Sequence, residues 1–254
     1  MKIAVCYKYV PEEEEIRVLD DRTLDFSKAQ WKIGQYDLNA VEAGMQLAEA
    51  AGGEVVVLTA GDAAVDNSKL KKSILSRGPS MMYGIKDAGM SGADSSATAK
   101  VLKAGIEKIG DIQLVLCGEG SGDIYAQQTG VMLGAALGWP CVNAVSSLTL
   151  QEDRLIAERS LEHSVEVLEV TLPAVISVTS DINIPRIPPM RDILGAGKKP
   201  SACWTLDEAG AAVENGTRTH SILAPEQTDR RRIIFEDDGE QSIHALCEHL
   251  RKII

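Results

Sequence analysis

The chain has 254 residues, enough for one large domain or one and a half, and 44% of them are hydrophobic, enough for a real core. Its 26 basic against 37 acidic residues give a net charge of −11 and an isoelectric point near 4.9. Such a surface repels a phosphate backbone, which excludes nucleic acid as a partner, and no apolar run approaches the roughly 20 residues of a membrane-spanning helix.

The opening MKIAVCYKYV is too short and too charged for a signal peptide, so the expected location is the cytoplasm. Residues 2–7 predict a strand and residues 37–51 an amphipathic helix. Residues 54–58, EVVVL, form a nearly continuous β-branched run of the kind buried on both faces of a parallel sheet. A helix over about 63–75, a weaker strand at 80–85 and a helix at 95–108 follow, the last with Asp94 or Ser95 as its cap. Strands alternating with helices imply βαβ units, hence an α/β fold with a Rossmann-like, open, mostly parallel sheet.

The next strand, 112–117, ends in CGEGSGDIYAQQTG, after which 131–137 reads as a helix. Beyond Pro140 the pattern changes. Residues 146–150, 155–159 and 166–170 alternate apolar with polar, as antiparallel strands do, and 172–178 is a further apolar strand. From Asp181 to Pro200 the chain is rich in proline and glycine; it then runs irregularly to a strand at 232–235 and a helix at 241–252. This divides it into a nucleotide-binding α/β unit over 1–182 and an arm over 183–254 with little core of its own, expected to lie on another surface.

In an open parallel sheet, ligands sit outside the carboxyl ends of the strands, where the strand order reverses. Glycines at 118, 120 and 122 let backbone N–H groups approach a ligand. The helix that follows offers free first-turn amides and a partial positive charge. A phosphate fits the amides near Gln127, Gln128 and Thr129, with the Thr129 hydroxyl as a further donor. Glu119 and Asp123 would repel it, so Asp123 belongs either to a ribose hydroxyl or to the helix cap. The competing reading is a plain glycine-bearing β–α turn.

Other motifs carry less. SGADSS at 91–96 resembles a pyrophosphatase loop but lacks a residue and does not follow the first strand, so it reads as a helix cap. GAGKK at 195–199 has neither the strand nor the spacing of a phosphate-binding Walker loop. The five cysteines (6, 117, 141, 203 and 247) are scattered and read as reduced core thiols. His163 and His220 are isolated, and His244 and His249 do not share a helix face, so no metal ligand set appears. With no nucleophile–base pair either, the sequence offers a nucleotide pocket without visible catalytic machinery.

The segment 157–177, AERSLEHSVEVLEVTLPAVIS, closely resembles the signature of electron-transfer flavoprotein β subunits, with Arg159, Glu162, Glu166, Pro173, Val175 and Ile176 in the signature places. His163 and Ser164 depart from it. KYVPE at 8–12, QYDLNAVE at 35–42 and the D-x-x-x-x-Q-T-G run at 123–130 resemble the family's other loops, most of all those of its nitrogen-fixation and carnitine-linked branch. The resemblance implies a heterodimer with an α subunit, which holds most of a shared FAD and passes electrons from a flavin dehydrogenase or NADH to a quinone reductase or another acceptor. It implies a second nucleotide in the β subunit, AMP in most members and a second FAD in electron-bifurcating ones. The implied pocket comprises Cys6, Gly34, Gln35, Tyr36, Asp37, Ala60, Gly118, Glu119, Gly120, Ser121, Gly122, Asp123, Gln127, Gln128 and Thr129. Cys6 and Ala60 would contribute backbone. Tyr36 would pack on a flavin ring or close the helix start, and Arg159 would face the partner's flavin or pair with Glu162.

The resemblance also makes 183–200 a loop that docks a dehydrogenase. Ile187, Met190, Ile193 and Leu194 are apolar there, Arg186, Arg191, Lys198 and Lys199 make it basic, and four prolines are expected to exclude helix over much of it. A free-standing nucleotide-binding regulator, like the universal stress proteins, is the alternative. It has no use for the hairpin or the tail.

Overall fold

A computed structural model describes residues 1–151, 154–226, 232–234 and 239–252. Its centre is one nine-stranded sheet: β1 (Lys2–Cys6), β2 (Glu54–Gly61), β3 (Met81–Lys86), β4 (Leu114–Gly118), β5 (Cys141–Gln151), β6 (Arg154–Ser160), β7 (Val165–Val170), β8 (Ala174–Val178) and β9 (Ser201–Trp204). The spatial order is β7-β6-β5-β8-β4-β1-β2-β3-β9. Pairings from β5 through to β9 are parallel, while β6 runs antiparallel to both its neighbours. The fold class is therefore the expected one.

Helices cover both faces, which is what lets β2 carry five consecutive buried residues. On one face lie α1 (Gln35–Ala51), α2 (Ser68–Leu75) and α5 (Met190–Ala196), packed around Ile3, Val5, Leu116 and Ile176. On the other lie α3 (Ser95–Ile109) and α4 (Thr129–Leu137), packed around Ala4, Val56, Leu58 and Val175. The short α6 (Leu206–Ala209) and the terminal α7 (Glu240–Arg251) complete the helices of the described residues.

Several expectations change, each for a local reason. The helix expected over 63–75 is two pieces, because Asn67 folds its side chain onto the amides of Lys69 and Leu70 and starts α2 afresh after a 3₁₀ turn at Ala63–Asp66. Residues 190–196 are helical: Pro185, Pro188 and Pro189 all precede the first turn, and Pro189 is its extended N-cap. Ser201–Trp204, read as irregular, is the sheet's edge strand beside β3, where Trp204 stacks on Tyr83 with ring centroids 5.2 Å apart. Residues 232–234 are not a strand, and Phe235 lies outside the described residues. Cys6 and Cys117 are buried core thiols, but Cys203 and Cys247 are exposed and Cys141 is half-buried.

The SGADSS segment does cap a helix, and it does more. One Asp94 oxygen accepts the Ala97 amide of α3 at 2.8 Å, while the other accepts the Gly216 and Thr217 amides at 2.7 and 2.8 Å. The tail is thereby tied back to the sheet's carboxyl edge. Those donors hold the Asp94 carboxyl down at about 2, the Ala97 amide foremost.

Candidate functional site

The chain leaves β1 for β2 and β3 on one side, then crosses to β4 on the other, so the strand order reverses between β1 and β4. The connections that follow these two strands diverge there, at their carboxyl ends, the place where open α/β sheets bind their ligands. Four segments meet there: the residues after β1, the start of α1, the loop after β4, and the first turn of α4.

Asp37 joins the first three. It is the third residue of α1 and turns its carboxylate back toward β1, where Oδ2 accepts the Lys8 amide at 2.7 Å. The Lys8 carbonyl in turn accepts the Gly34 amide at 3.0 Å. A Cβ on Gly34 would lie 2.8 Å from Asp37 Oδ2, and one on Gly118 would lie 2.8 Å from Oδ1, so a single carboxylate requires both glycines. Burial pushes Asp37 up to about 7. The amides of Lys8 and Gly118 and the Lys8 ammonium oppose that rise, and the Asp123 carboxylate adds to it.

The glycine loop is shaped by side chains of its own. Glu119 is tied to β8 by its amide, which donates to the Val178 carbonyl at 2.9 Å. Its carboxylate accepts the Tyr125 hydroxyl at 2.9 Å. The Tyr125 ring lies directly over Gly120, where a Cβ would strike it, and 5.4 Å from the Tyr36 ring. Tyr125 and Gln127 both adopt positive φ, 51° and 56°, without being glycine. Such backbone persists only where its surroundings over-determine it, which is common around ligand sites. Burial, with the Glu119 carboxylate second, raises the Tyr125 hydroxyl to about 12.

Asp123 does not cap α4. Its Oδ2 meets the Lys8 ammonium at 2.6 Å and its Oδ1 accepts the Ile124 amide at 2.8 Å. The N-cap of α4 is Gln128, with no side-chain cap, so the capping alternative falls. Against burial, which raises it, Lys8 and Ser121 hold the Asp123 carboxyl below the usual range.

Cys6 turns its thiol to Cys117 beneath the switch point, among apolar residues, so only its backbone reaches the site. Ala60 is the penultimate residue of β2, one strand away at the same edge. Gln127, Gln128 and Thr129 lie at the start of α4, whose first-turn amides have no intrahelical acceptor. Gly122 has open space where a Cβ would stand. These groups suit an anionic, hydroxyl-bearing ligand: amides for phosphate, an ammonium and a carboxylate at the mouth, and two tyrosine rings for a flat base. Lys8 and Tyr125 are missing from the pocket expected from sequence. A lysine just past a strand end, with two acids in the facing glycine loop, was the available signal.

In the hairpin, Arg159 meets Glu166 at 3.6 Å, directly across the β6–β7 ladder, and not Glu162. Glu162 lies at the turn, 3.7 Å from His163. The buried Arg159 Nε has no hydrogen-bond partner. No group of histidines, cysteines and acids suited to a metal occurs among the described residues. No helix among them is long and apolar enough to cross a membrane.

With the sheet, the switch point and the hairpin in place, the family model for the electron transfer flavoprotein domain matches residues 22–209. The chain belongs to the electron transfer flavoprotein family.

Proposed function

We propose that this chain is the β subunit of a heterodimeric electron-transfer flavoprotein. It shares an FAD with an α subunit and holds AMP or a second FAD at Gly118–Thr129, with Lys8, Tyr36 and Tyr125 at its mouth. It carries electrons from a flavin dehydrogenase of the acyl-CoA dehydrogenase type, or from NADH, to a quinone reductase or another acceptor, and performs no catalysis of its own.

The observation that carries the heterodimer reading is α7. It buries none of its residues, and Ile243, Leu246 and Leu250 form an exposed apolar stripe at helical spacing. A helix of this kind gains stability mainly by packing its apolar face, and here that face is open for a second chain. Within the arm proposed for 183–254, β9, α6 and the stretch through Thr217 are tied to the sheet unit, so the surfaces offered to other proteins are the exposed apolar side chains of 187–194 and of α7.

Co-expression with a candidate α subunit tests the proposal. A stable yellow complex of one α and one β chain is the expected result. A soluble, colourless homodimer that ignores every α subunit would return the chain to the regulator class. Acid extraction of the complex then identifies the second ligand. Two flavins per heterodimer mean FAD at Gly118–Thr129, one flavin with AMP means the plain carrier, and one flavin with no other nucleotide defeats the pocket.

The docking role of 183–200 has its own test. Ile187, Met190 and Leu194 are 92%, 69% and 73% exposed, too open for residues that merely pack on their own domain. Burying one such anchor is worth roughly 1.5–3 kcal/mol. Met190→Ala or Ile193→Ala should therefore slow transfer from the dehydrogenase by about tenfold or more, with flavin content and heterodimer stability unchanged. Loss of the α subunit with normal partner kinetics would make the segment structural.

A further inference from the structure

Ile187, Met190, Ile193 and Leu194 face solvent, yet the segment is fastened at both ends, and the two fastenings differ in kind. At its start, Arg186 forks onto Glu42 of α1, with Nε to Oε2 at 2.6 Å and Nη2 to Oε1 at 3.1 Å. Its backbone amide adds a third bond to Glu42 Oε2, and its Nη1 reaches Glu49 at 2.7 Å. The Arg186 carbonyl accepts from Arg77 Nη1 at 2.7 Å. Just upstream, Asn39 and Asn183 exchange side-chain-to-carbonyl bonds at 2.8 and 3.0 Å. Glu42 is buried, so its charge is compensated chiefly by this one arginine.

At the far end, Lys199 spends all three ammonium donors on the carbonyls of Leu75, Gly78 and Pro79, at 2.9, 3.0 and 2.8 Å. These carbonyls lie at and just beyond the end of α2, where helical acceptors are left over. Between the fastenings Pro188 and Pro189 lead into α5, whose Ala196 is buried. A spacer needs no such hardware. A surface that must meet a partner in one shape does, because ordering loose side chains during association subtracts from affinity.

We infer that Arg186 and Lys199 are positioning residues. They pin segment 187–198 to α1 and α2 and present its apolar side chains in one fixed arrangement before a partner arrives. This rests on the docking role proposed above. The complex carrying Lys199→Met, and separately Arg186→Gln, tests it by three readings: trypsin cleavage after Arg191, thermal midpoint, and KM and kcat with a flavin dehydrogenase as donor. Arg191 is 92% exposed and reports opening of the segment directly. Arg186→Gln strands the buried Glu42 and risks misfolding; Lys199→Met touches only a helix end and keeps the test alive.

Cleavage after Arg191 should quicken, and KM should rise on the order of tenfold at unchanged kcat and nucleotide content. The inference is overturned if cleavage does not change, or if cleavage quickens while KM stays at the wild-type value. If Met190→Ala raises KM and neither fastening variant does, docking stands and the positioning role falls. If Met190→Ala leaves KM unmoved, docking itself fails and the positioning role falls with it, while the cleavage rates still report whether the ends are pinned.

Discussion

Gly118→Ala should abolish the nucleotide binding proposed for the chain and cost it roughly 1–3 kcal/mol of stability, the usual range for forcing a carbon into a filled space. The added Cβ would stand 2.6 Å from Tyr36 Cβ and 2.8 Å from both the Tyr36 carbonyl carbon and Asp37 Oδ1. Two of those three atoms cannot rotate away. The strain must instead separate the end of β4 from the start of α1, and the Asp37 carboxylate that holds Lys8, Gly34 and Gly118 together gives way first. The readings are nucleotide per chain after acid extraction and the urea midpoint. Gly122→Ala is the control for stability, since nothing lies within 4 Å of its added carbon. A Gly118→Ala protein with full nucleotide content and an unshifted midpoint would mean that the switch point is looser than these distances say.

The parts of this architecture legible in the sequence are those that local chemistry decides. The run EVVVL is a two-faced buried strand wherever it occurs in an α/β chain, and β2 is one. Glycine at 118 marked a close approach, and α1 makes one there. What could not be read depends on distant partners. SACW is too short to announce a strand, and becomes one because β3 offers a free edge and Tyr83 a surface for Trp204. Proline was read as excluding helix from much of 183–200, whereas its position just before the first turn starts one at Met190–Ala196. Arg159 was offered Glu162 by sequence proximity. The ladder register placed it opposite Glu166, seven residues away. Asp123 was weighed as a cap or a ribose ligand because nothing local to it reveals that Lys8, 115 residues earlier, ends beside it.

Asp37→Asn should flatten the pH dependence of stability between about pH 4 and 7. Burial raises the Asp37 carboxyl from 3.8 to about 7 in the folded chain, whereas the unfolded chain releases that proton near 3.8. Across this window the folded state binds more protons than the unfolded one, so the contribution of the group is complete below pH 4 and is lost as pH rises through 7. At about 1.4 kcal/mol per pH unit, the span amounts to on the order of 4 kcal/mol. The groups facing the carboxylate are the Lys8 and Gly118 amides, the Lys8 ammonium and Asp123, and of these only Asp123 favours the neutral form. Asp123, Glu42, Asp66 and Asp94 are all held below their ordinary range, so their losses fall at the acid end, below this window. Asparagine keeps one acceptor for the two amides and sacrifices a hydrogen bond, which lowers stability at every pH but leaves nothing to titrate. Urea midpoints of both proteins at half-unit steps from pH 4.5 to 7.5 separate this offset from the slope. Parallel curves would mean that Asp37 is ionised throughout, and that its two backbone donors and the Lys8 charge outweigh the cost of burying it.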